Sequence, residues 1–191
     1  MQSTFVHVAL LKVADADVSR GVPSYEAQRS AARCALVECA EFTAAPLEGW
    51  KQDAGGVPLP NSGYYWSIAH KRRWAAAVIA DHPVGIDIEP VNPRRYNLFD
   101  AVGGEDEWRL LGDRSWHSFF RLFTAKEATL KANGVGIGYL SACRVVKVAD
   151  ARHVVTEFQG RTWRIEHFEH DNHIAAVTCG EEEVAWHVVE G

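Results

Sequence analysis

The strongest constraint on this chain is an order of elements that it states twice. A helix signal followed by short strand signals runs from about residue 24 to 89, and again from about 115 to 189. The tripeptide Ala76-Ala77-Val78 returns as Ala175-Ala176-Val177, each time on the return strand of an expected hairpin. A helix and a sheet each need a partner for one apolar face, and packing them together satisfies both. The repeated order therefore predicts an α+β fold of two similar lobes, each a helix on a small, mainly antiparallel sheet. Pro90 and Pro93 punctuate the middle, so the expected division is residues 1–90 and 91–191.

The individual signals are clear enough to place. Phe5 to Val13 reads as a strand, broken at Asp15, Asp17, Gly21 and Pro23. Ser24 is the expected N-cap of a helix to about Phe42, with Tyr25, Leu36, Val37 and Ala40 available for burial. Strands are expected at Tyr64–Ala69, Trp74–Ala80 and Val84–Glu89. A second helix is expected from Ser115 to Asn133, stopped by Gly134. Further strands are expected near Cys143–Val148, Val154–Phe158, Thr162–Phe168, His173–Cys179 and Val184–Val189. Asn92 to Gly112, with Arg94, Arg95, Tyr96, Leu98, Phe99 and Trp108, is either a plain connection or a docking segment.

Composition narrows the function classes. Twenty Lys and Arg against twenty-five Asp and Glu give a net charge of -5, which disfavours a general nucleic-acid binder. Cys34, Cys39, Cys143 and Cys179 form no C-x-x-C pair, the pattern of reduced thiols in the cytoplasm. Met1 to Phe5 lacks the features of a leader peptide, and no apolar run approaches the roughly 18 residues of a membrane span.

Three stretches carry chemistry. In Gly85-Ile86-Asp87-Ile88-Glu89, strand alternation turns both isoleucines one way and both acids the other. Paired carboxylates repel unless a cation such as Mg²⁺ joins them to phosphate oxygens. In the second helix, Trp116, Phe120, Phe123, Glu127 and Leu130 share a face, so Glu127 stands in an apolar stripe, with Lys131 one turn on. His70-Lys71-Arg72-Arg73 forms a cationic hairpin tip suited to a phosphate group. Each has a plainer alternative: a solvated strand face, an intrahelical Glu127–Lys131 pair and a solvated turn. His167, His170 and His173 alternate faces on a strand and so do not converge as metal ligands; His170-Asp171-Asn172 reads as a polar turn.

Taken together, Ser67-Ile68-Ala69-His70, Gly85-Ile86-Asp87-Ile88-Glu89 and Phe123-Thr124-Ala125-Lys126-Glu127-Ala128 with Lys131 and Gly134-Val135-Gly136-Ile137 resemble the 4′-phosphopantetheinyl transferase superfamily. The likeness is to its single-chain, pseudodimeric type, which implies a pseudo-twofold between the lobes and a monomer. Glu26-Ala27-Gln28-Arg29-Ser30 is similar to that family's first-lobe helix.

The resemblance implies a transferase that moves the 4′-phosphopantetheine arm of coenzyme A to a serine of an apo acyl or peptidyl carrier protein. It implies Asp87, Glu89 and Glu127 as ligands of Mg²⁺ or Mn²⁺. Glu127 and Lys131 are implied as catalytic residues, with Lys131 also touching the coenzyme. His70, Arg29 and Ser30 are implied at the coenzyme's 3′-phosphate. Three departures stand out: Ala69 where the family has serine before histidine, Gly56-Val57-Pro58 without the family's cation, and Phe123 for tryptophan. Lys71 and Arg73 are the expected replacements for the lost positive charge. Another Mg²⁺-dependent phosphoryl-transfer enzyme and a non-catalytic carrier-binding relative are the alternatives.

Overall fold

The structure is a computed structural model that describes residues 5–14, 18–19 and 22–189. Residues 1–4 and the expected breaks at Asp15, Asp17 and Gly21 lie outside the described residues. The chain runs β1 (Phe5–Lys12), β2 (Val18–Ser19), β3 (Val22–Pro23), α1 (Tyr25–Thr43), β4 (Tyr65–Lys71), β5 (Trp74–Ala80) and β6 (Ile86–Pro90). It continues through α2 (Leu98–Val102), α3 (Glu105–Leu111), α4 (Trp116–Ala132), β7 (Arg144–Val148), β8 (His153–Phe158), β9 (Arg161–His170), β10 (His173–Cys179) and β11 (Glu183–Val189). Both long helices start at their expected caps. Ser24 Oγ accepts from the Ala27 N–H and Ser115 Oγ from the Ser118 N–H, each at 3.1 Å. The fold is α+β with two mainly antiparallel sheets.

One sheet has the order β11-β1-β5-β4 and the other β6-β10-β9-β8-β7. The repeat is thus a lead strand, a helix and a hairpin: β1-α1-β4-β5 and then β6-α4-β9-β10. In each, the lead strand pairs antiparallel with the second strand of the hairpin, Ala9 facing Ala77 and Asp87 facing Ala176. Strand β6, which a division at residue 90 gives to the first half, belongs to the second sheet. Strand β11, from the end of the described chain, runs parallel to β1 in the first. The halves are interlaced through these two crossings.

The layers explain the repeated tripeptide. Helix α1 lies on one face of the first sheet, where Leu36, Cys39 and Ala40 meet Ala9, Ala77 and Ile79. The opposite face, with Val8 and Val78, packs on Ile86, Ile88 and Val177 of the second sheet. Helix α4 covers the far side of that sheet, with Phe120 and Ala128 in one core with Ile174 and Ala176. Strands β5 and β10 are therefore buried on both faces, all seven residues of each. Their alanines let a layer approach closely from either side. Close packing also corrects the expected face of α1: Leu36 and Ala40 are buried, but Tyr25 and Val37 are exposed, and Ala31, Ala32 and Ala35 take their place in the core.

Gly85 sets the distance between β6 and α4. A Cβ there would lie 2.0 Å from the Ala128 carbonyl oxygen and 2.6 Å from the Ala132 nitrogen. Neither backbone atom can yield without moving the helix. Gly85→Ala should therefore destabilise the fold by about 1–3 kcal/mol, the usual cost of overpacking. Urea denaturation checks this, and a loss below about 0.5 kcal/mol would show that α4 is loosely seated.

The segment 92–112 is more ordered than a connection. Helices α2 and α3 fold it against α4, burying Phe99, Val102 and Trp108 while leaving Tyr96 exposed. The polar turn between β9 and β10 forms at Asp171 and Asn172, both at positive φ.

Candidate active site

A cleft of about 600 Å³ opens where the two repeats meet. Helix α1 supplies Tyr25, Arg29 and Arg33; β4 supplies Ile68 to Lys71; β6 supplies Asp87 to Glu89; α4 supplies Phe123, Glu127 and Lys131. The edge of β6 lies beside β4, where Ser67 Oγ accepts from the Ile86 N–H at 3.2 Å. Because Ile86 and Ile88 enter the intersheet core, alternation turns Asp87 and Glu89 toward α4.

Lys131 reaches across to β6 instead of pairing within its helix. Its Nζ donates to Asp87 Oδ1 at 2.8 Å and to the Ile86 carbonyl at 2.9 Å. That leaves Asp87 Oδ2 and Glu127 Oε1 buried and without a hydrogen-bond partner. Burial raises the Asp87 carboxyl against the pull of Lys131. Burial, and then the neighbouring Asp87 charge, push Glu127 up to about 7. Glu89 is held differently: Lys71 Nζ is 3.0 Å from Oε1 and Arg94 Nη2 is 2.7 Å from Oε2. The three acids line one cleft, but they do not converge within 4.8 Å as a ready-made trio of ligands.

Two orphaned carboxylate oxygens in one partly buried cleft are costly, and a divalent cation would satisfy both. The residues present therefore fit such an ion.

The opposite wall is cationic and aromatic. Tyr25, Arg29 and Arg33 recur every fourth residue on α1; Arg29 is the one that the resemblance implies, and the four-residue spacing is the signal that would have added Tyr25 and Arg33. Arg29 Cζ stands 5.8 Å above the Tyr25 ring, and the Tyr25 and His70 rings meet edge to face at 5.4 Å. His70 Nδ1 is buried and has no partner. Burial, then the charges of Lys131, Arg29 and Lys71, lower its pKa and favour the neutral ring. Ser30 and Arg73 do not line the cleft. Ser30 stands a turn of about 100° around the helix from Arg29. The Arg73 carbonyl accepts from the Val13 N–H, which ties this turn residue to the end of β1. Ala69 is buried and lines the wall, presenting a methyl group where the related motif has a hydroxyl.

This arrangement of acids on one wall and cations on the other, joined by Lys131, has the chemistry to accept a phosphate-bearing ligand together with a divalent cation. Sequence comparison agrees with that class. The model of the 4′-phosphopantetheinyl transferase superfamily matches residues 83–178, half of the chain, and the chain belongs to this superfamily. It is 30% identical over 107 residues to a 4′-phosphopantetheinyl transferase of Bacillus pumilus, covering 52% of this chain and 46% of the relative. It is 30% identical over 92 residues to one from Aneurinibacillus migulanus, covering 46% and 39%. A third, from Nocardia iowensis, is 34% identical over 110 residues, covering 54% and 48%. The matches thus span about half, or less, of the length of these curated relatives.

Proposed function

We propose that this protein transfers the 4′-phosphopantetheine arm of coenzyme A to a serine of an apo acyl or peptidyl carrier protein. The observation that carries this reading is the pair of buried, unpartnered oxygens of Asp87 and Glu127 facing a wall of Arg29, Arg33, His70 and Lys71. Asp87 and Glu127 would hold a divalent cation, Mg²⁺ or Mn²⁺, with Glu89 as the third acid. Bound there, the ion would neutralise the pyrophosphate and favour substitution at phosphorus.

The chain's own residues supply the rest. The cationic wall orients the nucleotide end of coenzyme A, with neutral His70 and Arg29 at the 3′-phosphate. Arg33 replaces Ser30 in that group. Lys131, already between the strands and α4, offsets negative charge on the phosphoryl oxygens. Glu127 takes the proton from the carrier serine as its oxygen bonds to phosphorus. The bond from phosphorus to the bridging pyrophosphate oxygen breaks, and adenosine 3′,5′-bisphosphate leaves with the electron pair. Exposed Arg95 and Tyr96 beside the cleft form the landing surface for the carrier. Among the described residues no helix is long and apolar enough to cross a membrane. The same reading makes the protein a cytoplasmic monomer that does not act on nucleic acid.

The decisive experiment incubates the protein with coenzyme A, Mg²⁺ and a panel of apo carriers, and looks for the phosphopantetheine mass on the carrier serine. No modified carrier under any divalent cation would overturn the proposal. Within that assay, Arg33→Ala should raise the KM for coenzyme A about tenfold, the value of one charge-assisted contact. Arg73→Ala, outside the cleft, should leave it unchanged.

A further inference from the structure

One cluster of metal-ligating side chains lies apart from the cleft. Asp81 and His82 sit in the loop from β5 to β6, and Glu182 sits in the turn from β10 to β11. These are the two places where the chain crosses between sheets, out of the first and back into it. One ligand atom from each residue lies within 4.8 Å of the other two, the one such trio of His, Cys, Asp or Glu among the described residues. His82 Nδ1 is 3.0 Å from Asp81 Oδ1 and 3.9 Å from Glu182 Oε1. Ligand atoms around a tetrahedral Zn²⁺ stand about 3.3 Å apart, between these two separations.

One further observation points to a ligand: Glu182 Oε2 is buried and lacks a hydrogen-bond partner, a carboxylate oxygen left open beside the trio. Gly180 leaves the space that Glu182 occupies: a Cβ there would lie 2.4 Å from Glu182 Oε2. The trio also borders a cavity of about 390 Å³ that shares no lining residue with the cleft.

We infer that Asp81, His82 and Glu182 form a second cation site, selective for a divalent transition metal of the zinc type, that fastens the two sheet crossings together. An imidazole nitrogen with two carboxylate oxygens suits Zn²⁺, whereas Mg²⁺ favours oxygen donors alone. Three protein ligands leave a fourth position for water. The inference stands whether or not the cleft transfers phosphopantetheine.

The test uses the full chain with Mg²⁺ in excess to occupy the cleft acids, titrated with ZnCl₂ by calorimetry and followed by thermal melting. At a Zn²⁺ concentration about 100 times Kd, the wild-type Tm should rise by about 5 °C or more. His82→Ala and, separately, Glu182→Gln should weaken Zn²⁺ binding at least about tenfold and remove that rise, since each deletes one of three ligands. Glu127→Gln should keep it. The inference is overturned if Zn²⁺ leaves the wild-type Tm unmoved, or if Glu182→Gln binds Zn²⁺ as the wild type does. Should His82→Ala not fold, Glu182→Gln decides the matter alone.

Discussion

Glu127→Gln is expected to leave the protein folded and to slow carrier loading by about 10²–10⁴-fold. Glutamine keeps the shape of the side chain but removes its negative charge and its capacity to take a proton. The proposed transfer uses both at Glu127, whose Oε1 sits buried and unpartnered in the cleft it shares with Asp87. Single-turnover loading of a carrier measures the effect, and a loss below about fivefold would remove Glu127 from the chemistry.

Stability should move the other way. Glu127 has its pKa pushed up from 4.5 to about 7 in the fold, so between these values the native state binds the proton more readily than the unfolded chain. Its contribution to stability therefore falls as pH rises through that window. His167 acts in the opposite sense. Burial lowers it from 6.5 to about 4, so its contribution rises with pH between those values. The Glu127 effect must accordingly be read as a difference. Without divalent cation, the variant should gain on the wild type from about pH 4.5 to 7 and stay ahead above it. A variant that is both slower and more stable distinguishes a lost functional group from damaged packing.

Lys126→Met is expected to destabilise the protein by about 3–5 kcal/mol, because it strands a buried carboxylate. Lys126 is only 1% exposed. Its Nζ lies 2.8 Å from Glu107 Oε1 and 3.0 Å from Oε2, and donates to the Val102 carbonyl at 2.7 Å. Glu107 is committed elsewhere as well, accepting from the Val145 N–H at 2.7 Å and the Gly104 N–H at 3.0 Å. This one ion pair thus joins α3, α4, β7 and the loop after α2. Adding Glu107→Gln to Lys126→Met should restore part of the loss, since glutamine carries no charge to strand and keeps an acceptor oxygen. Urea denaturation of the two variants provides the comparison, and equal stability of Lys126→Met and wild type would show the pair to be dispensable.

Lys126, Glu127 and Ala128 show how far the sequence could be read. They appear in it as one motif, and the family resemblance rests partly on it. In the fold Lys126 anchors α3, Glu127 lines the cleft and Ala128 receives the close approach of Gly85. Helical periodicity separates the three faces but does not name what each face meets. The caps at Ser24 and Ser115, and strands β5 and β10, were legible because local chemistry fixes them: a hydroxyl before a helix, or a small-residue run buried on both sides. The pairing of β11 with β1 was not, because hydrogen bonding between residues so far apart leaves no local trace. Helices α2 and α3 are short, and their order comes from packing Phe99 and Trp108 against α4.

The cleft followed the same pattern. Asp87 and Glu89 were found by strand alternation, and Glu127 by its place in an apolar stripe. The ion pairs that hold Glu89 to Lys71 and Arg94 depend on the approach of separate elements and could not be read from spacing. Ser30 was carried by resemblance alone, and the helix turns it out of the cleft wall.

The parallel pairing of β1 with β11 has a consequence for how the chain is made. On a ribosome adding about 5–20 residues per second, the outer edge of residues 5–11 waits on the order of ten seconds or more for its partner to be translated. During that interval its backbone donors and acceptors are open to another nascent chain. A trigger of aggregation in this protein would then lie in the timing of translation, and slowing the last codons should lower the yield of soluble protein.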